Sequence, residues 1–150
     1  MKVVLQRVIS ASVAIVGHAP SSINNGILIF LGIETNDNFE DIEWLVNKIN
    51  SLRIFNDEEN KMNRSIKEIE GSFLVISQFT LHASTKKGNR PSYIKAARPE
   101  QAILLYETFI QKLRTISGLK VQSGFFGADM KVSLINDGPV TIIIDSKQKE

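Results

Sequence analysis

Only two stretches of this 150-residue chain repeat apolar residues at helical spacing; the rest of its apolar content falls in short β-rich runs. Ile42, Leu45, Val46, Ile49 and Leu52 mark the first helix, which the spacing starts at residue 38 with Asp37 and Asn38 as candidate caps and Trp44 flanking the apolar face. The second begins near Pro99, whose missing N–H is harmless in a first helical turn. It carries Ala102, Ile103, Leu105, Tyr106, Phe109, Ile110, Leu113 and Ile116 on one side until Gly118 stops it.

The extended runs cluster at both ends of the chain. Residues 3–8 and 12–16 are close enough to pair as a hairpin, and residues 26–33, G-I-L-I-F-L-G-I, form a third strand. N-D-E-E-N-K at 56–61 reads as an exposed turn between short extended pieces, and residues 72–80 form a strand whose end turns polar. Strands near 119–123, 130–135 and 140–145 complete the set; on local sequence, Asp137-Gly138 is a hairpin turn and Pro139 opens the strand after it. Strands in clusters, two helices and no regular βαβ rhythm predict an α+β fold: a largely antiparallel sheet or barrel with two main helices in a single domain over 1–150. No Gly-rich phosphate loop or dinucleotide fingerprint supports a doubly wound fold.

Composition narrows the function classes. No apolar run approaches a bilayer span, and Gln6 and Arg7 interrupt the stretch where a signal peptide would be apolar, so a soluble cytoplasmic protein is expected. There is no cysteine, which removes disulfides and thiol chemistry together. The net charge of +2 conceals an asymmetry: from Gly71 to Pro99 there is no Asp or Glu, but there are Lys86, Lys87, Arg90, Lys95 and Arg98. Such a cluster is either a solvated loop or a phosphate-contacting patch, and without interleaved aromatics it does not suit serial base stacking.

Side-chain chemistry is sparse. Neither Ser77 nor Thr80 stands in a G-x-S-x-G elbow, so a serine-type triad is not supported. His82 would share a face with Thr80 if strand geometry persisted and could then act as its base, while His18 sits in a short turn beside Gly17. Two histidines and scattered carboxylates give no metal cluster, and no cofactor is expected. The inventory favours a site built from backbone groups.

Several separated segments, in order, carry a resemblance. S-Q-F-T-L at 77–81, T-K-K-G-N-R-P-S at 85–92, F-G-A-D-M at 126–130 and N-D-G-P-V-T at 136–141, with M-K-V-V-L-Q-R-V at the start and L-R-I-F at 52–55, closely resemble the D-aminoacyl-tRNA deacylases. The resemblance runs essentially end to end; departures such as H-A-S at 82–84, A-P-S-S-I at 19–23 and Phe125 lie beside the motifs.

The resemblance implies a homodimeric enzyme that hydrolyses the ester joining a D-amino acid, or glycine, to the terminal adenosine of tRNA. It implies that Ser77, Gln78, Phe79 and Thr80 line the pocket, with oxyanion donors in the backbone around Gln78 and Phe79. Thr80 is a candidate nucleophile, ranked below assistance by the ribose 2′-hydroxyl because no base for it is evident. In similar proteins the Gly-Pro pair, here Gly138-Pro139, has a cis bond and reaches into the other subunit's site, where its carbonyls exclude an L side chain. Arg7 is the candidate for holding that pair and Met130 for packing beside it; a surface arginine and a core methionine read equally well. Lys86, Lys87 and Arg90 would meet tRNA phosphates. Two rivals stand beside the enzyme: a non-catalytic RNA-binding module and a purely structural dimer.

Overall fold

The computed structural model describes residues 1–149. Its helices are α1, Phe39–Ser51, and α2, Pro99–Ser117. Of the two candidate caps, Asn38 is the one used: its side chain accepts from Glu40 N–H at 2.8 Å, and the Asp41 carboxylate accepts from Asn38 N–H at 2.9 Å, closing a capping box. Helix α2 opens on Pro99 and ends at Gly118, which takes the left-handed conformation (φ 68°). Ile103, expected on its apolar stripe, stands at the edge of that stripe and is 38% exposed.

The strands are fewer and longer than local patterning suggests. Residues 3–8 and 12–16 do not form a hairpin; they belong to one strand, β1, Lys2–Ala14. One edge of β1 pairs antiparallel first with β3 (Gly26–Gly32), from Lys2↔Gly32 to Val8↔Gly26, and then with β2 (Ser21–Ile23), from Ala11↔Ile23 to Val13↔Ser21. Its other edge pairs antiparallel with β8, Lys131–Asp145. The chain therefore does not turn back at Asp137-Gly138, because the segments on both sides of Pro139 run in one direction along the same partner.

Beyond β3 the sheet changes character. β6 (Ser72–Ser77) lies parallel to β3, and β7 (Val121–Ser123) lies parallel to β6. Parallel neighbours require a long crossover, and α1 and α2 lie in the two crossovers. The first crossover also holds the small hairpin of β4 (Arg53–Asn56) and β5 (Met62–Ser65), turned by the polar stretch the sequence marks.

One face of the sheet, with Val3, Leu5, Ile27, Ile29, Leu31, Phe73 and Val75, packs against both helices. The opposite face gathers Val8, Ala11, Val13, Ile23, Leu28, Leu74 and Ile76 as the sheet curls into a nearly closed barrel. Strand β3 is central and buried on both faces, which explains its continuous apolar run.

Asp41 also fastens the chain's end to α1. Burial opposes its ionisation, but Lys147 Nζ (2.8 Å), Ser146 Oγ (2.6 Å) and Asn38 N–H hold its pKa down at about 2. A carboxyl whose folded pKa lies below the unfolded value of 3.8 stabilises the fold above that value and loses the contribution as pH falls through about 2. In urea unfolding, Asp41→Asn is therefore expected to lower stability by about 2 kcal/mol at pH 7, with the difference closing by pH 2. An equal deficit at both pH values contradicts this.

Candidate active site

Strand β6 ends at Ser77, and the chain tightens into a single 3-10 turn, Phe79–His82. Ser77, Gln78 and Phe79 form one wall of a cavity of about 290 Å³. Ala97 and Ala102, at the approach to and start of α2, form a second, and the loop Phe126–Asp129 with Met130 and Val132 forms a third. The lining is mostly apolar. Its carboxylate, Asp129, is exposed and bound by Lys131 Nζ at 2.8 and 2.9 Å.

The main chain at the strand end is only partly committed. Gln78 N–H donates to Leu31 O at 2.8 Å, so it is occupied. Phe79 and Thr80 N–H open the 3-10 turn and have no intrahelical acceptor. Of the two backbone positions named from sequence, Phe79 is thus the one with a free donor.

Thr80 does not line the cavity, and its Oγ1 accepts from Gln78 Nε2 at 2.5 Å. The strand does not persist to His82, so residues 80 and 82 do not share a face. His82 is buried, with Nδ1 3.8 Å from Glu34 Oε2, and it makes no hydrogen bond to Thr80. His18 packs against Phe125 with the rings tilted by 35° and their centroids 4.4 Å apart.

Two supports escaped sequence reasoning. Tyr106, read there as part of an apolar stripe, donates its buried hydroxyl to Val75 O at 2.9 Å and reaches Gly124 O at 3.4 Å. Burial pushes the phenol's pKa up, and the hydroxyl ties β6 to the loop after β7. A lone tyrosine in an otherwise apolar stripe was the available signal, since a buried hydroxyl needs a partner. Beside it, a Cβ on Gly124 would stand 2.3 Å from Met130 Sδ, so glycine is what lets Met130 close the cavity.

The second support is Asn136. The β1–β8 ladder passes from Gln6↔Thr141 to Val8↔Asn136, so the residues around Gly138-Pro139 bulge out of the sheet. Asn136 Nδ2 donates to Arg7 O and Val140 O, both at 3.0 Å, bracketing the bulge. Inside it, the buried Arg7 donates from Nε to Asp137 O (3.2 Å), with Asp137 Oδ2 at 3.0 Å, and from Nη1 to Ile54 O (2.6 Å) and Asn56 Oδ1 (3.3 Å). The Gly138-Pro139 peptide is cis, Gly138 has φ 122°, and both residues are exposed. They lie outside the cavity of their own chain. Arg7 reaches the bulge, and Met130 lines the cavity.

Lys86, Lys87 and Arg90 sit on an exposed loop pinched at its base by Ser84 N–H to Ser92 O (2.8 Å) and Ser92 N–H to Ser84 O (2.9 Å). Tyr93, just past that base, meets Phe79 edge-on at 5.0 Å, so the loop stands beside the cavity. No helix among the described residues is long and apolar enough to cross a membrane, and no group of His, Asp or Glu among them could hold a metal.

A family model described as D-Tyr-tRNA(Tyr) deacylase matches residues 4–145. The chain belongs to this family. Proteins called D-aminoacyl-tRNA deacylase from Bacteroides fragilis and Flavobacterium psychrophilum are each 63% identical to it over 150 residues, covering the whole of both chains. A solved structure titled c-Myc DNA Unwinding Element Binding Protein is 41% identical, with a TM-score of 0.90 over 97% of this chain and 98% of that one. A probable eukaryotic D-amino acid tRNA deacylase shares the fold at 17% identity, TM-score 0.84, over 95% and 97%.

Within this family member, Tyr106→Phe removes one hydroxyl and leaves Val75 O without that donor. It is expected to lower stability by about 1 kcal/mol in urea unfolding. An unchanged unfolding midpoint would show that the hydroxyl does not brace the site.

Proposed function

We propose that the chain hydrolyses the ester between a D-amino acid and the terminal adenosine of tRNA, releasing the free amino acid and tRNA, and that glycyl esters are also cleaved. The observation that carries this reading is the cavity at the end of β6, where Phe79 offers a free N–H and no side-chain nucleophile is paired with a base. Full-length relatives called D-aminoacyl-tRNA deacylase support the substrate class.

An aminoacyl ester is activated relative to an amide. Orientation, N–H donors aimed at the developing oxyanion and an admitted water can therefore accelerate its cleavage without a covalent intermediate. Water adds its oxygen to the acyl carbon, the ester C–O bond breaks, and the ribose oxygen leaves with a proton, assisted by the neighbouring 2′-hydroxyl. Thr80 ranks below this route because its hydroxyl is held by the Gln78 amide and no base touches it. Thr80→Ala is expected to keep turnover within about tenfold, below the roughly hundredfold or more that loss of a positioned acid or base costs. A loss of several orders of magnitude with tRNA binding intact would reverse the ranking.

Chirality is judged sterically. Main-chain oxygens of Gly138 and Pro139, supplied by a second copy of the chain, occupy the space an L side chain needs; a hydrogen or a D side chain avoids them. Thousandfold rejection requires only about 4 kcal/mol. A homodimer suits the exposed apolar side chains near the bulge, Ile9 (51%), Ile135 (56%) and Ile143 (69%). Lys86, Lys87 and Arg90 contact tRNA phosphates, and the work is chiral proofreading in the cytoplasm.

Incubation with matched D- and L-aminoacyl-tRNA tests the reading: selective release of the D amino acid supports it, binding without release supports an RNA-binding module, and neither supports a structural dimer. In the same assay Gly138→Ala is expected to lower D/L selectivity at least tenfold. Its Cβ would stand 2.8 Å from Val140 Cγ2 and 3.0 Å from Arg7 Nη2, at a φ that L residues rarely adopt. Full selectivity after that change would remove the bulge from chiral judgement.

A further inference from the structure

A second concavity lies across the 3-10 turn from the cavity. Phe79 faces the cavity, while Leu81 and His82 line a groove of about 530 Å³. The segment leading into α2 divides the same way, with Ala97 on the cavity and Lys95 on the groove. Phe79 to His82 advances only about 6 Å along the turn, so the two openings are close neighbours.

The groove's chemistry differs from that of the cavity. Lys2, Lys86, Lys95 and Lys147 face it against two carboxylates, Glu34 and Asp145. Lys2 Nζ lies 3.5 Å from Asp145, and Lys147 is held by Asp41. Lys86 and Lys95 form no ion pair among the described residues, so their charge is available to a ligand. The hydroxyls of Ser84 and Thr85 add neutral donors.

We propose that this groove holds the phosphodiester backbone of the unpaired tRNA end, immediately 5′ of the nucleotide whose ester enters the cavity. The inference rests on the deacylase reading and gives it a path for the polynucleotide. A strand whose last nucleotide lies at the cavity can leave past the 3-10 turn, and the groove beyond that turn has the charge to receive it. Lysine ammonium groups suit phosphate as point charges without reading sequence. No Phe, Tyr or Trp lines the groove, so it offers no stacking surface and would track the backbone alone. Lys86 also belongs to the basic loop, so groove and loop form one continuous cationic path. An acidic peptide would satisfy the same lysines, but only the nucleic acid explains why the groove adjoins the cavity.

Lys86→Ala, Lys95→Ala and the double variant test the proposal; Lys2 and Lys147 are spared because they hold Asp145 and Asp41. Affinity for uncharged tRNA is measured across a salt series, alongside hydrolysis of D-aminoacyl-tRNA and of D-aminoacyl-adenosine. Each substitution is expected to weaken tRNA binding about fivefold at 0.1 M salt and to reduce the log–log salt slope by about 0.7, and the pair about twenty-five-fold and 1.4. For Lys95→Ala, KM for the tRNA ester rises in step, kcat holds, and the adenosine ester is cleaved as before. Unchanged tRNA affinity and slope, or an equal loss on D-aminoacyl-adenosine, would overturn the proposal. So would polyglutamate that binds as tightly as tRNA and loses affinity equally in the double variant. If the unsubstituted protein cleaves neither ester, the deacylase reading fails, and the uncharged-tRNA arm still decides whether the groove binds RNA.

Discussion

Between Gln6 and Val8, strand β1 advances two residues while its partner β8 passes from Thr141 back to Asn136, and the surplus chain has to leave the sheet. That mismatch presents the Gly138-Pro139 main chain outside the sheet, and Arg7 holds it there. A single guanidinium spans Asp137, Ile54 and Asn56, so the bulge is fixed to β1 and to the β4–β5 hairpin at once. A planar fork with several donors suits three acceptors in different directions; a lysine ammonium would not reproduce it. Asn136 brackets the same segment from β8. The exposed segment is held in place because the buried Arg7 guanidinium and the Asn136 amide bind the main chain on both sides of it; under the proposed reading, such a fixed wall is what steric discrimination requires.

The cavity follows the same logic on a different scale. Its geometry comes from where β6 stops: the strand commits Gln78 N–H to Leu31, and the tight turn that follows leaves Phe79 and Thr80 N–H without intrahelical acceptors. The polar side chains near the strand end are engaged elsewhere. Thr80 is engaged by Gln78, His82 lies beyond the turn beside Glu34, and Asp129 is held by Lys131. What remains is oriented backbone and a mostly apolar lining, which suits a substrate that carries its own activation in an ester bond and an adjacent hydroxyl.

Legibility in the sequence tracked the distance over which each feature is determined. Both helices could be read because their stripes, the Asn38 cap, Pro99 and Gly118 are all local signals. The long strands were read as broken ones: the short Ile9-Ser10-Ala11 gap between two β-rich runs, and the Gly138-Pro139 pair, resemble turns until a partner strand is seen to run past both. The parallel pairings of β3, β6 and β7 leave no mark in local alternation, since any strand buried on both faces reads as an apolar run. The candidate site segments were picked out through separated motifs, whereas their supports were not: Tyr106 meets Val75 31 residues away, and Asn136 meets Arg7 129 residues away. Residue type alone could not choose between a structural and a site-building role for either.

The central claim is that one copy of the chain supplies the wall that judges handedness in another copy's cavity. A crystal structure with a non-hydrolysable amide analogue of D-aminoacyl-adenosine examines it directly. The account predicts a two-fold dimer in which the analogue's acyl group lies at the end of β6, with Gly138 and Pro139 oxygens of the second copy in van der Waals contact at its α-carbon. An analogue bound in that cavity while the bulge of every copy faces solvent would contradict it.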